Sequence, residues 1–318
     1  MRATEQNTAN FLRTIARDPA IKQEVMLSPG IYRLLFAAAK RYVTGEKRTD
    51  LLARAHELAE LGYRLSAEYI GENTQDAEEC REAKDELLQL TQACGAIKNP
   101  IGISFDLSHV GLLLDRKLAV SQAADVADEA ERHGHGIMIS MEEAAKTDAI
   151  LEVYEQLAKQ RENVGITLQV HQHRTIEDVT RLIRLPGKIR LVKGAFKESP
   201  EVALGRSKEL NERYLMLADQ CVQAGHEVSF ATHDSILIDE LESRGYFRER
   251  HVELELLYGI RPELAKQMSE KGAAVRLYLT YGKEWFLYLC HRLAEYPPHV
   301  HQAMADMMEP ARTQVHGY

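Results

Sequence analysis

A chain of 318 residues, 45% hydrophobic and 28% charged, can bury a core large enough for one big domain or two small ones, which excludes a disordered protein. Its formal net charge of −8 excludes general binding to nucleic acid, whose phosphates select a strongly basic face, and leaves small molecules as the expected partners. Cytoplasmic location is the expectation, with peripheral membrane association left open: four scattered cysteines form no CxxC pair, the opening MRATEQNTAN has no signal-like apolar stretch, and no run approaches the roughly 18 apolar residues of a membrane span.

Residues 1–62 read as an N-terminal helical arm, because IYRLLFAAAKRYV and DLLARAHELAELG carry apolar residues at helical spacing and Gly62 marks a stop. From 63 to 318 short β-rich runs alternate with longer amphipathic stretches, the pattern of parallel strands joined by helices. Strands are predicted at 65–70, 101–107, 136–141, 165–170, 189–193, 227–232, 252–257 and 274–279. Eight is the number that closes a (β/α)8 TIM barrel, so the expected fold is α/β, one barrel preceded by the arm. The first run, SAEYIGE, also reads as a helix continuing from its neighbours, which would leave seven strands or an open sheet.

In such a barrel the chemistry lies at the carboxyl ends of the strands. The fifth strand brings Arg190, Lys193, Gly194 and Ala195 in RLVKGAF, the sixth brings Thr232, His233 and Asp234 in FATHD, and the fourth brings Gln169. Taken singly, each reads as a paired charge or a group satisfying the backbone; together they form a polar ring that a packed core does not require. Glycine beside a strand-end lysine permits close backbone approach to a ligand, and the lysine can neutralise a phosphate. Lys193 also admits a rival reading as a Schiff-base lysine. Past the last strand, YGKEWFLYLCHRLAEYPPH reads as a helix with Arg292 and Glu295 three apart, placed for an ion pair or, if the helix folds over the strand ends, for a ligand. The histidine pairs at 133–135 and 171–173 lack a third ligand, so no metal is expected.

RLVKGAFKES, FATHD, ELELLYGIRPE, VRLYLTYG and HRLAE, in this order between about residues 66 and 300, resemble the proline dehydrogenases. The resemblance implies a distorted (β/α)8 barrel whose final helix crosses the strand ends, and a noncovalent FAD. It places Arg190 near the flavin N5, Gln169 near the pyrimidine edge, Lys193, Gly194 and Ala195 along the phosphates and ribityl chain, and Thr232 and His233 beside them. Arg190, Tyr278 and Arg292 are the implied catalytic residues. The implied reaction is hydride transfer from a carbon bonded to a neutral nitrogen, giving an imine, with a quinone, oxygen or a carrier protein as the final electron acceptor.

The pocket departs from the family where proline would be held. Asp106 in ISFDLSHVG stands for a lysine, Ser140 for an aspartate, Phe196 for a tyrosine and His291 for the first of two arginines, whereas Tyr278, Leu257, Arg292 and Glu295 match. With His291 neutral, the pocket is about two charges more negative than the family's. A carboxylate ligand loses affinity there, so the expected substrate is a cyclic or secondary amine other than free L-proline, with Asp106 facing a cation. Asp106 also reads as an internal partner of Arg292. An ordinary L-proline dehydrogenase forming 1-pyrroline-5-carboxylate and a non-catalytic flavin-binding relative are the alternatives.

Overall fold

The computed structural model describes residues 3–309 and 317–318. Eight parallel strands close a barrel in chain order: β1 (Arg64–Tyr69), β2 (Ile101–Phe105), β3 (Gly136–Ile139), β4 (Val164–Gln169), β5 (Ile189–Val192), β6 (Val228–Ala231), β7 (Val252–Leu257) and β8 (Val275–Tyr281). The first run is a strand, and the seven-stranded alternative falls. The preceding helix, Arg48–Glu60, stops at Gly62 in the left-handed region (φ +92°), and β1 then pairs with β8 in the register Ser66 to Tyr278 and with β2 in the register Ser66 to Gly102.

Period-two alternation sorts each strand into two faces. On β5, Ile189 and Leu191 pack outward into the shell beneath the helices, while Arg190 points into the barrel. On β7, Leu254 and Leu256 face out, while Glu253 and Glu255 face in. Buried charge is tolerable only when paired. Near the barrel floor Glu253 accepts from Arg276 Nε (2.7 Å), Lys188 Nζ (2.7 Å) and Arg64 Nη1 (3.1 Å). Burial pushes the Glu253 carboxyl up, but those cations outweigh it and hold the group well below the ordinary range.

Outer helices begin at side-chain caps that satisfy otherwise unpaired N–H groups: Asp76 before Ala77–Cys94, Asp115 before Arg116–Arg132, Ser207 before Lys208–Gln223 and Asp234 before Ser235–Ser243. Arg48–Glu60 packs on β8 and β1 and so completes the ring.

A second core joins the N-terminal arm to the last helices. Trp285 is fully buried, with ring centroids 5.3 Å from Tyr32 and 5.1 Å from Phe36 on the helix Pro29–Ala39. The first helix, Ala3–Ala16, lies along Trp285–Glu295, while His299–Met308 packs on Pro29–Ala39 and is tied by Arg41 to Asp306 at 2.5 and 2.7 Å. Among the described residues no helix is long and apolar enough to cross a membrane.

Candidate active site

A cavity of about 1080 Å³ opens at the carboxyl ends of the strands, beneath the helix Trp285–Glu295. It exceeds the ~300–1,000 Å³ that typically encloses a small ligand, so a dinucleotide and a small substrate fit together. Its walls bring together every residue singled out in the sequence: Asp106, Ser140, Gln169, Arg190, Lys193, Gly194, Ala195, Phe196, Thr232, His233, Leu257, Tyr278, His291, Arg292 and Glu295.

Arg190 stands at the centre. Its guanidinium lies 4.9 Å from the centroid of the Tyr278 ring and bonds Glu255, Ser104 and Thr167. Toward β5 and β6, Lys193 pairs with Asp234, which also caps its helix by accepting from Ile236 N at 2.9 Å. Arg206, missed in the sequence reading, donates to the Gly194 carbonyl at 2.7 Å and so adds a second cation to this end. His233 Nε2 accepts from Leu257 N at 3.3 Å; burial, helped by Arg292 and Arg261, lowers its pKa to about 3 and keeps the ring neutral. Gln169 Nε2 donates to the Glu142 carbonyl at 2.7 Å.

Gly194 is required by its own backbone and its neighbour. Its φ is +105°, and a Cβ there would come within 2.0 Å of His171 Nδ1.

Toward β1 to β3 the pocket is acidic. Asp106 does not pair with Arg292: its carboxyl faces the cavity with no hydrogen-bond or ion-pair partner among the described residues. Burial first, then Glu142, Glu68 and Glu72, push its pKa well above the ordinary value, while Lys146 pulls it down. Lys146 itself is committed to Glu142 (2.6 Å), Glu143 (2.9 Å) and Asn73 (2.5 Å). Glu68, at the end of β1 and also missed, accepts from the Tyr278 hydroxyl; burial pushes its pKa up to about 7 against the pull of Tyr278, Arg190 and Arg292. Ser140 is fixed beside the end of β2 by its N–H to the Phe105 carbonyl at 3.1 Å.

Arg292 pairs with Glu295 at 2.7 Å, and their helix also roofs the strand ends, so the ion pair lines the cavity. The Arg292 Nε is buried without a hydrogen-bond partner among the described residues, a donor to spare on a side chain that lines the cavity. Burial and the neighbouring Arg292 lower the His291 pKa to about 4. Just past the first helix, Arg17 reaches Glu72 (2.9 Å) and Glu143 (2.8 Å), so the arm forms part of the cavity wall. Among the described residues no group of three or more His, Cys, Asp or Glu is arranged to hold a metal.

This geometry has close parallels. The family model described as proline dehydrogenase matches residues 51–297. Proline dehydrogenase of Deinococcus radiodurans is 30% identical over 293 residues, covering 89% of this chain and 92% of that protein. Proline dehydrogenase 2 of Bacillus subtilis is 28% identical over 273 residues, covering 85% and 90%. Proline utilization A of Bdellovibrio bacteriovorus superposes with a TM-score of 0.77 at 18% identity, over 97% of this chain and 39% of that longer one, which establishes the shared barrel.

Proposed function

The chain belongs to the proline dehydrogenase family, flavin-dependent oxidoreductases acting on CH–NH donors, and from that premise we propose that it holds FAD and oxidises a proline-like cyclic or secondary amine other than free L-proline. The donor set fits the cofactor: Lys193 and Arg206 suit its phosphates, Gln169, Thr232 and His233 its ring and ribityl chain, and Arg190 a developing negative charge on the flavin. When bound, FAD supplies the hydride acceptor, and its reoxidation falls to a quinone, oxygen or a carrier protein.

The rest belongs to the chain. Tyr278 and Leu257 pack the substrate ring, and the roof helix keeps water from the reacting carbon. Oxidation requires a neutral nitrogen, since its lone pair stabilises the iminium as hydride leaves. Glu68, with its raised pKa, takes the proton from the substrate ammonium. Arg292 with Glu295 orients the polar substituents, beside His291, Ser140 and Phe196.

The unpartnered Asp106 carboxyl carries the substrate reading. A protonated Asp106, with Glu68 and Glu72 behind, offers a proline carboxylate no cation and resists ionising beside it; a second cationic group favours the ionised carboxyls, and a blocked carboxylate needs no cation. Anaerobic visible spectra of the purified protein test this, with L-proline added first and then proline esters, amides and cyclic diamines. Bleaching by an analogue but not by proline supports the reading. Bleaching by proline at low concentration makes the protein an ordinary L-proline dehydrogenase, and bleaching by none makes it a flavin-binding relative without this chemistry.

A further inference from the structure

Arg190 has five N–H donors, and the protein uses them all. Nε and Nη2 donate to Glu255 at 2.9 and 3.0 Å, Nη1 and Nη2 to Ser104 at 3.1 Å each, and Nη1 to Thr167 at 3.3 Å. Glu255 is equally committed: besides the two bonds from Arg190 it accepts from Ser66 (2.9 Å) and Ser229 (2.7 Å). Side chains from β1, β2, β4, β5, β6 and β7 thus meet in one cross-barrel knot, with Arg190 5% and Glu255 3% exposed. An arginine so bound has no donor left for a ligand. It acts on the cavity only through its field, and that field is largely cancelled by a carboxylate in bidentate contact.

We propose that Glu255 is a positioning and tuning residue: it immobilises Arg190 at the site that would hold the flavin and cancels most of its charge, setting the cofactor's reduction potential below what a free arginine would give. This rests on the reading that Arg190 lies at the flavin. Reduced flavin and the flavin–sulfite adduct at N5 are both anionic, so both report the positive charge the ring experiences.

The test uses the FAD-loaded wild type and two variants, reading the sulfite dissociation constant and the two-electron midpoint potential. Glu255→Gln keeps the shape and removes the opposing charge. Sulfite should bind at least tenfold tighter and the potential should rise by a comparable amount, ~30 mV per factor of ten. Both quantities within twofold of wild type, or its equivalent in potential, would overturn the proposal. If that variant does not fold, the double variant Arg190→Gln with Glu255→Gln removes both buried charges together, the change a core tolerates best. It should bind sulfite within threefold of wild type, while Arg190→Gln alone binds at least tenfold more weakly; a double variant as weak as the single one overturns the proposal. A wild type that retains no flavin when purified and none on addition of FAD sinks the functional reading itself, a result distinct from either.

Discussion

Asp106 and Glu68 lie at adjacent strand ends, and among the described residues no cation is bonded to either. A lysine at 106 would stand among Glu68, Glu72 and Glu142, a surrounding that favours its charge, and an arginine at 291 would extend it toward Arg292. Asp106→Lys with His291→Arg should therefore convert the pocket to one that accepts L-proline, lowering the proline concentration needed for half-bleaching of the flavin at least tenfold; no change would mean that substrate choice resides elsewhere. Glu68 makes a second prediction. As a proton acceptor it must be ionised, so kcat/KM for the amine that bleaches the flavin should rise with pH up to about 7, and Glu68→Gln should lower the rate and flatten that limb. The residues quoted from motifs all line the cavity because strand-end motifs carry their position with them. Glu255 was half-legible: the alternation in ELELLYG announces two inward carboxylates, but their partners lie on other strands, Arg190 on β5 and Arg276 on the neighbouring β8. Arg206 and Lys146 sit in connecting segments, where periodicity gives no direction.

Two helices from opposite ends of the chain close the cavity. Trp285–Glu295 is held down by its apolar face, and Ala3–Ala16 lies along it, followed by Arg17 bridging Glu72 and Glu143 across the mouth. Arg17 is 44% exposed, so its ion pairs contribute at most about 1 kcal/mol each to global stability. Their effect should be local. Arg17→Ala should shift Tm by only a few degrees while speeding amide exchange in the loop 71–76 and in the first helix; unchanged exchange there would show that the arm is held by packing alone. At this scale the sequence was most readable, since each strand starts within one residue of its prediction. Runs of alternating apolar residues between glycines and caps leave little choice of boundary. The place of the arm was not readable. It depends on Tyr32 and Phe36 meeting Trp285 some 250 residues later, a contact that no local pattern encodes.

Across the whole molecule the ionisable groups pull stability in opposite directions with pH. Glu253 and Glu255 are held below their ordinary range by buried cations, so their contribution is present above about pH 4.5 and lost as pH falls. Glu68 and Asp106 run the other way. In the folded protein they keep protons that the unfolded chain has released, so their contribution is full below about pH 4 and is lost as pH rises, for Glu68 through about 7. For Glu68 alone the loss is on the order of 3 kcal/mol, at ~1.4 kcal/mol per pKa unit. Removing both ionisations with Glu68→Gln and Asp106→Asn should therefore raise the Tm of the substrate-free protein by several degrees at pH 8 and by little at pH 4. A dicationic amine recovers the same energy in the wild type by ionising the pair. Its stabilising effect in thermal melts should grow from pH 5 to pH 8 and vanish in the double variant, whereas a ligand recognised through a carboxylate would show no such growth. The acidic pocket thus costs stability near neutral pH when empty, and the cost is recovered only by a ligand that brings positive charge.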